Sequence, residues 1–188
     1  MSVQVQEFTV SHYNRFLVLI HWFMAVGLLV AVCVGLYMVS IPGITPIKLK
    51  LYNWHKWLGV SLFFLILVRI VVRSLSRVPA YPDDWSKRQA MWVKLGHFAL
   101  YVCMVLVPIW GYLFSLAAGF PVVWLGLIEL PTLIEKNAEL KELFRILHES
   151  FSKVLIVLIV GHIVMALKHH FMNQERLLDR MKFVSKNV

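Results

Sequence analysis

From Phe16 to Val39 the chain contains no lysine, arginine, aspartate or glutamate. Wound as an α-helix, a run of that length crosses a hydrocarbon core of about 30 Å. Further apolar stretches follow near residues 53–74, 91–118 and 148–171. In lipid every backbone N–H and C=O must find its partner inside the protein, so runs like these fold as helices. The expected fold is all-α, an integral membrane four-helix bundle. Of the 188 residues 60% are hydrophobic and only 15% charged, and the mean hydropathy is +0.73, well outside the range of a soluble domain. The net charge of +9 does not point to nucleic acid, because the basic residues lie between the apolar runs, where the positive-inside rule puts them.

The remaining segments fit that plan. The N-terminus lacks the basic start and small-residue cleavage site of a signal peptide and reads as mature. Residues 40–46 (SIPGITP) have turn chemistry, and residues 75–94 form a polar loop with two prolines. The loop 120–147 shows helical spacing in its second half, at Leu140, Leu143, Phe144 and Leu147, which predicts a short surface helix about 133–146. The whole chain, 1–188, is expected to form one transmembrane domain with helices about 16–39, 53–74, 91–118 and 148–171. The N-terminus, second loop, tail and their flanks hold 12 Lys and Arg residues against 7 on the other side. That bias places both termini in the cytoplasm. Cys33 and Cys103 sit within apolar runs as small hydrophobes. There is no C-x-x-C-H, so no covalently attached haem is indicated.

Histidines are the residues that such helices do not need for packing. His148 and His162 stand fourteen residues apart in the fourth run. On a helix that spacing is about 21 Å, on nearly one face. His21 lies about a turn inside the first run, His55 at the start of the second and His97 about a turn inside the third. Alternating helix directions then give two depth-matched pairs, His21 with His162 at the inner side and His55 with His148 at the outer side. Imidazole is a common axial ligand of haem iron. A pair facing each other across a porphyrin fills both axial positions and suits electron transfer. His169, seven residues beyond His162 and about 10 Å further out, is the rival partner for His21. A metal-ion site and a proton relay are alternatives, but only Glu149 among acidic residues accompanies the histidines. Arg69 and Arg73 suit haem propionates or anchor the helix by charge. Gly27, Gly35, Gly59 and Gly161 leave room for a flat macrocycle or for close helix contacts.

The motifs IHW at 20–22, WHKWLG at 54–59, LGHFALY at 95–101, LHE at 147–149 and GHIVMALKHHF at 161–171, with the arginines after the second helix, resemble the bacterial cytochrome b561 family over nearly the whole chain. They are also similar to the cytochrome b subunits of membrane hydrogenases and formate dehydrogenases. The resemblance implies two non-covalent b haems (protohaem IX) between the helices of a multi-pass bacterial inner-membrane protein. It implies His21 and His162 as iron ligands of the inner haem, and His55 and His148 as those of the outer haem. Lys168, His169 and His170 match the family's K-H-H motif, which implies a ubiquinone contact at His169. His97 is implied near the quinone or a propionate. The implied activity is single-electron transfer to or from the ubiquinone pool, with superoxide or a protein as donor. The other implied role is a haem-bearing anchor subunit that relays electrons for a separate dehydrogenase. In one member activity, superoxide is oxidised outside and ubiquinone reduced. The outer segments here carry Lys48, Lys50, Lys56 and Lys153, but also Glu129, Glu135, Glu139, Glu142 and Glu149.

Overall fold

The computed structural model describes residues 12–82, 85–172 and 177–182. The first residues of the N-terminal lead and much of the basic tail lie outside the described residues. Four long helices carry the fold: α1 Arg15–Ser40, α2 Pro46–Leu75, α3 Lys87–Ala117 and α4 Ala138–Phe171. All four are long and apolar enough to cross a membrane.

Each helix starts where a side chain caps it. Asn14 accepts from the Phe16 N–H at 2.8 Å and opens α1. Thr45 accepts from the Lys48 N–H, with Pro46 in the first turn of α2. Proline costs nothing there, because that N–H has no helical partner in any case. The second helix therefore begins seven residues before the expected 53, at a cap rather than at the edge of the apolar run. Ser86 and Gln89 form a reciprocal capping box that starts α3 at Lys87, not 91. Pro108 lies within α3.

The short surface helix expected about 133–146 is not a separate element. Asn137 caps Leu140 N at 2.9 Å, and α4 runs unbroken for 34 residues, about 51 Å. Arg145 bonds Glu142 one turn back and Glu149 one turn on, which carries the helix through the segment where a break was expected. The N-terminal part of α4 accordingly projects beyond a 30 Å core.

Helix α1 packs on α2, α3 on α4, and α2 on α3. The backbones of α1 and α4 make at most marginal contact. The buried core is small: Ile20, Met24 and Ala31 of α1 pack with Leu62 and Ile66 of α2. Large apolar side chains face outwards on every helix, including Phe23, Val71, Phe98 and Val157. A water-facing surface of this kind would aggregate, whereas lipid tails cover it at no cost.

Between α3 and α4, where a loop was expected, β1 (Val123–Trp124) pairs antiparallel with β2 (Ile128–Glu129). Leu125 and Gly126 both have positive φ at the turn, the combination that matches the twist of a tight hairpin. Trp57 Nε1 donates to Val123 O at 2.7 Å and Trp124 Nε1 to Ser61 Oγ at 3.1 Å, fastening the hairpin to α2. At the opposite end a 3-10 turn, Leu177–Met181, accepts from Trp22 Nε1 through Met181 O. Arg180 donates to Ala80 O.

Substituting Ser86→Ala removes the capping box of α3. A lost cap of this type costs about 1 kcal/mol. The variant should show a lowered apparent Tm in detergent, and an unchanged Tm would show that α3 does not depend on the cap.

Candidate functional site: two imidazole pairs within the helix bundle

The half-turn logic of helices sets the site. His148 and His162 project from one face of α4 toward α1 and α2. His162 meets His21 of α1, with ring centroids 6.2 Å apart and planes at 69°. His148 meets His55 of α2, at 6.1 Å and 88°. These are the two combinations that depth matching selects. His169, the rival partner of His21, instead lies buried against Trp85, with centroids 5.0 Å apart.

The spacing within each pair is chemically specific. Two imidazoles on opposite sides of one metal, each bonded at about 2 Å, have ring centroids roughly 6 Å apart. Both pairs match that figure. Their rings are half-buried and lie between helices whose backbones scarcely approach one another. The arrangement fits a flat, bis-histidine-ligated group bridging α4 to α1 at one depth and α4 to α2 at the other. Among the described residues no group of three or more His, Cys, Asp or Glu converges as a metal-ion site.

Hydrogen bonds fix the protonation of three rings. His55 Nδ1 lies 3.1 Å from Ala31 O of α1, and His148 Nδ1 lies 2.9 Å from Val107 O of α3. A carbonyl only accepts, so Nδ1 carries the proton in each ring. That leaves the Nε2 lone pair for a metal, which is how ligating histidines are usually oriented. His97 Nδ1 donates to Val93 O of its own helix at 2.8 Å. Its ring stands edge-on to His162, at 5.2 Å. That is closer than a ligand pair requires, so His97 is a neighbour of the inner pair rather than a third member of it.

Arg69 donates to Leu17 O at 2.8 Å, and the Arg73 guanidinium lies over the Tyr13 ring at 5.9 Å. Neither bonds a carboxylate in this arrangement. Arg69 is nonetheless close enough to His21, His97 and His162 to act on them electrostatically. Beside His169 at the inner end, Trp85 stacks on Tyr81 at 5.5 Å, and Lys94 Nζ lies 5.6 Å over the Tyr81 ring. Tyr81, in the loop outside the helices, has its phenol pKa raised by burial and by Tyr13. His170 packs on Phe171, and its buried Nδ1 has no hydrogen-bond partner.

Sequence reasoning missed the carbonyl acceptors Ala31 and Val107, which carry no side-chain signal. It also missed Trp85, whose loop position gave no hint that it covers His169. Gly35 was noted only as a small residue, and Gly111 only as part of a kink beside Pro108. A Cβ on Gly35 would sit 3.1 Å from His55 Cε1, and one on Gly111 2.9 Å from His148 Cε1. Gly27 instead faces Leu62, so it serves a close helix contact.

Long apolar helices that hold paired imidazoles at two levels define a multi-pass membrane protein built for electron transfer. The chain belongs to the prokaryotic cytochrome b561 family, whose sequence pattern (described as "Prokaryotic cytochrome b561") matches residues 12–183. It is 29% identical over 173 residues to "Cytochrome b561 homolog 2" of Escherichia coli (strain K12), covering 92% of each chain. It is 26% identical over 130 residues to "Cytochrome b561 homolog 1" of the same organism, covering 68% of this chain and 72% of the relative. It is 23% identical over 166 residues to "Probable superoxide oxidase CybB" of Yersinia pestis, covering 86% of this chain and 90% of the relative. The protein is thus a membrane electron-transfer protein of a b-type haem family.

With no C-x-x-C-H in the sequence, the haem is held by coordination alone. Acid-acetone extraction of the purified protein should move all haem into the organic phase. Haem that stays with the polypeptide would contradict this.

Proposed function

We propose that this protein holds two b haems and carries single electrons from an outer donor to ubiquinone at the inner side of the bacterial inner membrane, with both termini in the cytoplasm. The observation that carries the reading is the two imidazole pairs, at 6.1 and 6.2 Å, set about 21 Å apart along α4. His21 and His162 would hold the inner haem, and His55 and His148 the outer one. Each haem, when bound, supplies reversible one-electron chemistry. The residues supply ligation, spacing and charge.

Arg69 and Arg73 bring positive charge to the inner level for propionate carboxylates. A guanidinium has five N–H donors, so the bond from Arg69 to Leu17 O leaves others for a carboxylate. His169, Trp85 and Tyr81 form an aromatic wall at the inner end, suited to the flat ring of ubiquinone, and His169 has a ring nitrogen to offer a quinone oxygen. His97 stands between that wall and the inner pair.

The outer donor in this reading is superoxide, in line with the name of the Yersinia pestis relative. Lys56, next to His55 in sequence, holds its Nζ 3.4 Å from Pro121 O and 3.5 Å from Ser115 Oγ. It places a cation at the outer pair, where an anion would arrive. The reaction balances as two superoxide anions losing one electron each to give two dioxygen molecules, while one ubiquinone gains two electrons and two protons.

Two measurements test the proposal. His148→Ala and His162→Ala should each leave one haem per chain, and His169→Ala should leave two. Retention of both haems without His162 would overturn the ligand assignment. Purified protein should be reduced rapidly by superoxide and reoxidised by ubiquinone. No reaction with superoxide, but reduction by a separate dehydrogenase, would make the protein an anchor subunit instead.

A further inference from the structure

The outer histidines share a local arrangement that the inner ones lack. His55 reaches from α2 to α1 and donates Nδ1–H to Ala31 O at 3.1 Å. His148 reaches from α4 to α3 and donates Nδ1–H to Val107 O at 2.9 Å. In both cases a glycine stands four residues beyond the accepting carbonyl: Gly35 after Ala31, and Gly111 after Val107. Residues i and i+4 lie one above the other on a helix face. The glycine therefore borders the carbonyl at the place where the ring must lie. A Cβ on Gly35 would come within 3.1 Å of His55 Cε1. A Cβ on Gly111 would come within 2.9 Å of His148 Cε1 and 3.0 Å of its Nδ1. Two unrelated helix pairs have arrived at the same device, a carbonyl at i and a missing side chain at i+4.

None of the 9 glycines of the chain borders His21 or His162 in this way. Among the described residues, neither inner ring has a main-chain carbonyl bonded to its Nδ1. The charge near the inner pair is the Arg69 guanidinium. These surroundings push in opposite directions. A ligand imidazole that donates Nδ1–H to a carbonyl becomes a more basic ligand, which favours the oxidised metal. A nearby cation favours the state with the extra electron.

We propose that Gly35 and Gly111 are positioning residues of the outer pair. Each leaves the space in which one imidazole donates its Nδ1 proton to the carbonyl one turn back, and the two bonds make the outer haem the lower in potential. Electrons then run downhill from the outer level to the inner one. This rests on the ligand assignment proposed above.

The test is a spectroscopic redox titration of the full-length holoprotein with four variants: Gly35→Ala, Gly111→Ala, Gly27→Ala and His148→Ala. The wild type should show two resolved midpoints. Loss of His148 should remove the lower one, which assigns it to the outer haem. Gly35→Ala and Gly111→Ala should each shift the lower midpoint upward and leave the higher one in place. Gly27→Ala adds the same methyl group against the flexible end of Leu62, at 3.0 Å, and should move neither. If His148→Ala retains both haems, the ligand reading fails. If His148→Ala removes the higher midpoint, the proposed order of potentials is overturned. If the two glycine variants leave the lower midpoint in place, or move both midpoints alike, the positioning role is overturned while the ligands stand. Should an alanine variant fail to hold its outer haem, hydrogen exchange in the wild type decides. With ¹⁵N-labelled histidine, two ligand Nδ1–H protons should exchange with D₂O more slowly than the other two. Equal exchange at all four would sink the proposal.

Discussion

A neutral imidazole has one nitrogen that must donate and one that must accept. Within a hydrocarbon layer neither can turn to water, and an unsatisfied polar group costs about 1–3 kcal/mol. This requirement organises the bundle. Each outer histidine spends its donor on a carbonyl of a neighbouring helix, α1 for His55 and α3 for His148. The Nε2 lone pairs are left facing one another across a spacing of the right size for a coordinated metal. The paired rings thus tie all four helices together at the outer level, since α2 and α4 carry the imidazoles while α1 and α3 supply their acceptors. Little conventional core is available for the task, because only a handful of residues around Ile66 are fully buried.

The inner level is built differently. His21 and His162 are accompanied by His97 and by Arg69, which also joins α2 to the first turns of α1 through Leu17 O. Charge and further imidazole are thus concentrated at the end where a quinone would take up protons. Backbone carbonyls and glycines are concentrated at the end where an anionic donor would approach. The aromatic wall of Trp85 and Tyr81 beside His169 extends the inner level outwards, and the 3-10 turn near Met181 closes on Trp22. The two ends of the electron path differ in chemistry although the two imidazole pairs differ by only 0.1 Å in spacing.

Much of this was legible in the chain. Apolar runs without charge can only be helices in lipid, and the fourteen-residue interval between His148 and His162 fixes two depths on one face by helix geometry alone. The pairing of depths across four alternating helices followed from that interval. What misled the reading was hydrophobicity used as a boundary marker. Thr45-Pro46, Ser86 with Gln89, and Asn137 start helices well outside the apolar runs, because capping hydrogen bonds rather than lipid contact set those ends. The same error split α4 in two, although Arg145 bridges the supposed break.

The sequence by itself determined the class of fold, the number of spans and the levels at which histidines appear, since each is a matter of local composition and period. The tertiary structure alone decided which rings meet, that His162 and not His169 faces His21, and that Trp85 covers His169. It also decided that Ala31 and Val107 accept from the outer ligands and that Gly35 and Gly111 make room for them. The physical reason is that a carbonyl is the same group at every residue and a glycine presents nothing to read. Their roles exist only once another helix brings an imidazole within about 3 Å of them.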